Sequence, residues 1–278
     1  MTKLLRANMS RLVKSATFWI FFSLYVAYSI IIPIITHSAF DEETLAEVGA
    51  DDLIALGYGI IGIPIPGIII AIICCTFFGL EFHDRTVKNK IVLGHSRSQI
   101  YTANLLTASI ISLAMSAVYL FFFLTVSLPL YGKIPASAKD IFILLLDGTL
   151  LMLAYSSIFT FITMTSKNTI VAILVTIVTL IAIIIIVDTV CLDVLNQSPY
   201  IPGHYDYLGN WIDEVENPYY SKAEHDLCQF IIDCFPSGQS FQLYNYNNYR
   251  WQSALYSLFL ISATSGAGIL IFNKANIK

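Results

Sequence analysis

Between Thr169 and Val187 the chain is an almost unbroken run of Ile, Val, Leu and Thr with no charged residue. A run of that length is sufficient to cross the hydrocarbon core of a bilayer as a helix. Five more runs of the same character stand at 17–36, 57–80, 101–128, 140–165 and 252–272. A chain inside lipid must satisfy its backbone polar groups within the span, which helices do segment by segment. The fold class is therefore read as an all-α integral membrane protein with six transmembrane helices, in a single membrane domain over 1–278. Only 12% of the residues are charged, about half the share of a soluble domain. With a net charge of −4, this excludes a basic nucleic-acid-binding domain and makes the lipid bilayer the first partner.

Residues 1–16 carry Lys3, Arg6, Arg11 and Lys14 among Leu5, Met9, Leu12 and Val13. The apolar positions follow a 3–4 spacing, which predicts an amphipathic helix lying in the membrane interface. The first apolar run is about 20 residues long and has no small-residue cleavage site after it, so it reads as a span and not a signal peptide. Phe18 and Trp19 sit at its edge, as interfacial aromatics do. Eleven Lys and Arg fall in the N-terminus, the 81–100 loop, the Lys167 turn and the tail, against four in the three opposite loops. The positive-inside rule then places both termini in the cytoplasm, in a multi-pass protein of the cell membrane.

The segment 37–56 is acidic and lies on the outer side by the same count. In the second span, Pro64 and Pro66 remove two backbone donors and are candidate hinges. Asp147 and Asp188 fall near the outer ends of their spans and are expected at headgroup depth. Residues 188–251 hold nine acidic residues and many Tyr and Trp, too aromatic for a disordered linker. They are read as an extracytoplasmic insertion between helices 5 and 6, with short helices around Ser221 to Phe235. Cys228 and Cys234 are candidates for a disulfide, each can alternatively pair with Cys191, and free thiols fit equally. No set of side chains has convincing metal-ligand spacing, and none is assigned to a metal or cofactor. In span 6 the small pairs Ser262/Gly266, Ala263/Ala267 and Thr264/Gly268 allow close helix approach. The sequence contains no G-x-x-x-x-G-K-[ST] phosphate loop, so the chain is not expected to act as an ATPase or other enzyme.

The charged stretch 81–100 separates spans 2 and 3 and holds Arg85, Lys88, Lys90 and Arg97. Asp84 is expected to cap a short helix through its side chain, and Gly94 to end it in a left-handed conformation and act as a hinge. Val87 and Ile91 share one face of that helix at i,i+4. Ser96 and Gln99 have the S-x-x-Q spacing of a capping box that starts the next span. So much local structure marks the loop as a contact surface.

The pattern Glu81-Phe82, then Arg85-Thr86-Val87-Lys88-Asn89-Lys90, then Gly94-His95-Ser96-Arg97-x-Gln99-Ile100-Tyr101 resembles the cytoplasmic loop of type-2 ABC exporter permeases. Asp84-Arg85-Thr86 departs from it slightly, since the family more often has a glycine near Arg85. The motif covers about a tenth of the chain, and the six-span layout extends the likeness to nearly all of it. The resemblance implies the permease subunit of an ATP-driven exporter, with a second permease as homo- or heterodimer partner and a separate cytosolic ABC ATPase. It also implies that 81–100 is a coupling loop: Val87 and Ile91 would enter a groove on the ATPase. Glu81, Asp84, Arg85, Lys88, Lys90 and Arg97 would orient the contact at its rim. The alternative is a non-transporting membrane anchor or sensor whose insertion binds a ligand.

Overall fold

The structure, a computed structural model, describes residues 1–39, 49–50, 52–59, 64–132, 134, 136–205, 211–245 and 251–275. The acidic residues of 41–48, Asp51 and Arg250 lie outside the described residues, as does the side chain of Asp188. Eleven described helices are introduced here as α1 Thr2–Val13, α2 Ala16–Ala39, α3 Asp52–Leu56, α4 Ile65–His83, α5 Thr86–Val92 and α6 Arg97–Tyr131. They continue as α7 Ala138–Ser166, α8 Thr169–Leu195, α9 Lys222–Cys234, α10 Pro236–Asn245 and α11 Trp251–Lys274. Six of them, α2, α4, α6, α7, α8 and α11, are long and apolar enough to cross a membrane.

Local chemistry fixes where these helices begin and end. Ser96 and Gln99 form a complete capping box at the start of α6. Ser137 accepts from the Asp140 N–H at the start of α7, and Asn168 from Ile170 and Val171 at the start of α8. Lys167 ends α7 at φ 52°. The fourth start lies inside the apolar run at 57–80: Gly57–Gly59 are not helical, Pro64 is the N-cap of α4 and Pro66 lies in its first turn. There the missing N–H groups are ones no helix would use, so the prolines start the helix and do not bend it. Two short π-helical stretches interrupt the spans instead, Phe123–Ser127 in α6 and Ile186–Cys191 in α8.

The centre of the bundle is α7, which packs on α11 most extensively and also on α4, α6 and α8. Tyr155, Phe159, Ile162 and Met164 are buried along it. Small residues allow the close contacts: Gly148 lies under the Tyr58 ring, and Gly268 of α11 under Tyr101. Ser157 of α7 bonds the Thr264 hydroxyl of α11 at 2.6 Å. Of the three small pairs read in span 6, Thr264/Gly268 faces this core, while Gly266 has no atom within 4 Å of where a Cβ would be. α2 and α8, by contrast, bury few of their apolar side chains and leave the rest half-buried or exposed, a surface suited to lipid or to another subunit.

At the end of the bundle away from α5, Leu53, Ile54 and Leu56 of α3 are buried among the spans. Three tyrosines hold this segment by its carbonyls: Tyr119 to Leu53 at 2.6 Å, Tyr28 to Leu56 at 2.5 Å and Tyr25 to Gly57 at 3.3 Å. Asp147, expected at headgroup depth, is buried in α7 near the Ala254 N–H of α11, and neither carboxylate oxygen has a bonded partner. The insertion starts as a β-hairpin. Its strands pair Tyr200 with Glu216, Ile201 with Val215, His204 with Ile212 and Tyr205 with Trp211, all in one antiparallel register. Pro202 and Gly203 interrupt the ladder, since proline lacks a donor. α9 follows, capped by Ser221, and then α10.

Candidate functional site

The loop between α4 and α6 is built around one buried carboxylate. Glu81, in the last turn of α4, is fully buried. Its Oε1 accepts from Lys90 Nζ of α5 at 2.6 Å and from a guanidinium nitrogen of Arg11 of α1 at 2.6 Å. Its Oε2 accepts from Asn104 Nδ2 of α6 at 3.0 Å. Asn8 of α1 closes the network, donating to Asn104 Oδ1 at 2.7 Å and accepting from Lys90 Nζ at 3.0 Å. The Arg11 guanidinium also stacks over the Phe77 ring, 4.2 Å from its centre. Five side chains from four helices thus meet at one point.

The electrostatics follow from burial. Taking Lys90 out of water pulls its ammonium below the usual lysine range. Glu81 acts the other way, and the Arg11 charge adds to the lowering. A buried charge without a partner costs several kcal/mol, so removal of Glu81 would strand Lys90. Arg11 is about a third exposed along its side chain and keeps access to water. The network is therefore a joint between α4 and α5 first, and a clasp for α1 second.

The burial redistributes the residues read as one contact surface. Glu81 and Lys90 are interior and cannot sit at the rim of a partner's groove. Val87 is turned inward as well, at 1% exposure, and Ile91 packs half-buried on the main core. The apolar side chains that α5 and its C-terminal turn show to solvent are Val92 and Leu93, each 78% exposed. Lys88, Arg85, Asp84 and His83 are exposed beside them. Asp84 does not cap α5: it pairs with His83 Nδ1 at 2.9 Å, and the N-cap is Arg85 in a left-handed conformation, φ 55°. Gly94 does end the helix left-handed, at φ 88°. Its N–H bonds the Ile91 carbonyl at 2.9 Å, and the His95 N–H bonds Lys90 at 3.2 Å, the two bonds of a Schellman motif. Arg97 is also spoken for: it donates to the carbonyls of Asn273, in the last turn of α11, and of Ala275 just after it.

Two further features complete the geometry. α1 buries Leu4, Asn8 and Leu12; of the four apolar residues read from spacing Leu12 is buried and Met9 packs on the core, while Leu5 is half-buried and Val13 exposed. Asn8 gave the signal, a polar residue at i,i+4 between two leucines that only makes sense if it meets a polar partner. Between α4 and α8 lies an apolar groove of ≈ 170 Å³, lined among others by Ile72, Thr76, Ile173 and Ile177. At its wall Cys75 Sγ and Thr176 Oγ1 are 3.2 Å apart. Cys228 and Cys234, proposed as a disulfide, are free thiols six residues apart on α9. That spacing is about 9 Å of helical rise, beyond the reach of a bridge.

No curated protein matches the chain. Residues 4–183, well over half of the sequence, match the family described as ABC-2 family transporter protein. The match spans α1, the Glu81 joint, the α5 knuckle and the first four spans, and the chain belongs to the ABC-2 family of membrane transporter proteins.

Proposed function

We propose that this chain is the permease subunit of an ATP-driven exporter and that it takes its drive from a separate cytosolic ABC ATPase through α5 and the turn after it. The observation that carries this reading is the division of labour within the loop. Glu81 and Lys90 fix α5 to the membrane domain, and the same short helix presents Val92, Leu93 and Lys88 outward. Two adjacent large apolar side chains beside cationic ones fit a groove with an apolar floor and an acidic rim. The Lys and Arg distribution supports a cytoplasmic position for this face, α1 and the C-terminus, where an ATPase would be. A second permease would complete the path, with the exposed α2 and α8 at the contact and the α4–α8 groove opening to it. ATP-driven closure of the ATPases would favour one state of the path only by binding it more tightly than the other.

The test is co-purification with the candidate ATPase and measurement of transport, comparing wild type with a Val92→Asp, Leu93→Asp double variant. Both side chains are exposed, so the fold should survive with an unchanged melting temperature. ATPase recovery is expected to fall at least tenfold and transport with it. Undiminished recovery and transport would reject the coupling role of this turn.

A further inference from the structure

We propose that Cys191 and Cys228 are a redox pair, forming an intramolecular disulfide that ties α9 to the end of α8. The proposal stands apart from the transport reading, since it needs only the two thiols and a disulfide-bearing oxidant. Both thiols are free and buried. They belong to a small cluster with Val187 and Ile232, separate from the main core. Within it α9 packs on the Ile186–Cys191 stretch of α8, which brings Cys191 and Cys228 into one cluster. Two thiols on different elements packed together are the arrangement a disulfide needs, whereas Cys228 and Cys234 share one helix and are too far apart.

Access follows from position. A satellite cluster with few members opens locally at less cost than the main core. Cys191 ends the π-helical stretch Ile186–Cys191, and such stretches are irregular points in a helix. Cys228 is the more exposed of the pair, at 6% against 0%, so it reacts first. Its thiol loses a proton and the thiolate attacks one sulfur of the incoming disulfide, breaking that S–S bond: one half leaves as a thiol and the other stays on Cys228 as a mixed disulfide. The Cys191 thiolate then attacks the Cys228 sulfur and expels the second thiol. In sum the pair gives up two electrons and two protons, and the oxidant is reduced to two thiols.

The full-length protein in detergent is treated with oxidised glutathione, quenched in denaturant with N-ethylmaleimide, and digested for mass spectrometry. The expected product is a Cys191–Cys228 linked peptide that dithiothreitol releases, with two fewer maleimide adducts per chain. Cys191→Ser should stop at glutathione held on Cys228, and Cys234→Ser should leave the link intact. Amide hydrogen exchange in α9 should slow at least tenfold on oxidation and recover on reduction. Both thiols fully alkylated after treatment would overturn the proposal, as would a link running to Cys234 in place of Cys191.

Discussion

Replacing Glu81 with glutamine keeps the shape of the joint and removes its charge. Glutamine can still accept from Lys90 through its oxygen. Its amide nitrogen would then face Asn104 Nδ2, donor against donor, at what is now a 3.0 Å hydrogen bond. Lys90 and Arg11 lose their only described carboxylate partner. Arg11 is 37% exposed and turns to water at little cost. Lys90, at 10%, cannot. Breaking a buried pair by removing one partner costs about 3–5 kcal/mol, and about 3 is taken here because Asn8 still accepts from Lys90. At roughly 2–4 °C per kcal/mol for a chain of this size class, the melting temperature should fall by about 6–12 °C. Thermal unfolding of the detergent-solubilised protein reads this directly. The decisive arm is the double variant Glu81→Gln, Lys90→Met. With no stranded cation it should recover most of the loss, giving a coupling of about 2 kcal/mol or more in the cycle. A shift under 2 °C for Glu81→Gln, or a double variant whose losses simply add, would refute the ion pair as the fastening of α5.

Three other outcomes follow from named geometry. Arg85 holds φ 55°, a conformation that costs an L-residue about 1–2 kcal/mol; Arg85→Gly should stabilise the solubilised protein by about 0.5–1 kcal/mol after glycine's entropy, and a loss would show that the Arg85 side chain contributes more than its strain. Gly268→Ala should destabilise by about 1–3 kcal/mol because its Cβ would lie 2.0 Å from the Tyr101 hydroxyl, while Gly266→Ala, which meets nothing, should be nearly neutral in the same melt. The lowered Lys90 pKa makes the unfolded chain the better proton binder just below the ordinary value of 10.5, so wild type should gain melting temperature relative to Lys90→Met as pH rises into that window, and a falling difference would reverse the assigned sign.

Most of the architecture was legible because lipid leaves so few options. Long apolar runs gave the six helices, and Gly94, Ser96 and Gln99 gave the turn into α6 by short-range chemistry that needs no tertiary information. What escaped was set by long-range contact. Two apolar pairs, Val87/Ile91 and Val92/Leu93, lie on a helix of two turns, and nothing local says which pair faces the chain's own core. Lys90 read as solvated because a lone lysine nearly always is. Its partner Glu81 stands nine residues back, across a turn whose left-handed Arg85 the sequence disguised by lacking a glycine there. Asn8 and Asn104 are 96 residues apart and meet only when α1 folds back on α6.

That pattern bears on how a small knuckle can move a large bundle. The C-terminal turn of α5 is fastened twice, by the Lys90–Glu81 pair and by the Schellman turn and capping box that follow it. Arg97, one residue past the cap, is fastened in turn to the chain's tail carbonyls. A load on Val92 and Leu93 therefore has no slack loop in which to dissipate. It would pass to α4, α6, α1 and the end of α11 together. α4 is a 19-residue helix with prolines confined to its first turn, about 28 Å of rod without an internal break. Its far half walls the groove shared with α8. If coupling runs through this joint, cutting it at Glu81 should separate two quantities that a mere docking defect would lower together. The ATPase would still bind the exposed turn, but its hydrolysis would no longer respond to transported substrate. ATPase activity that stays substrate-stimulated in Glu81→Gln would place the transmission elsewhere in the bundle.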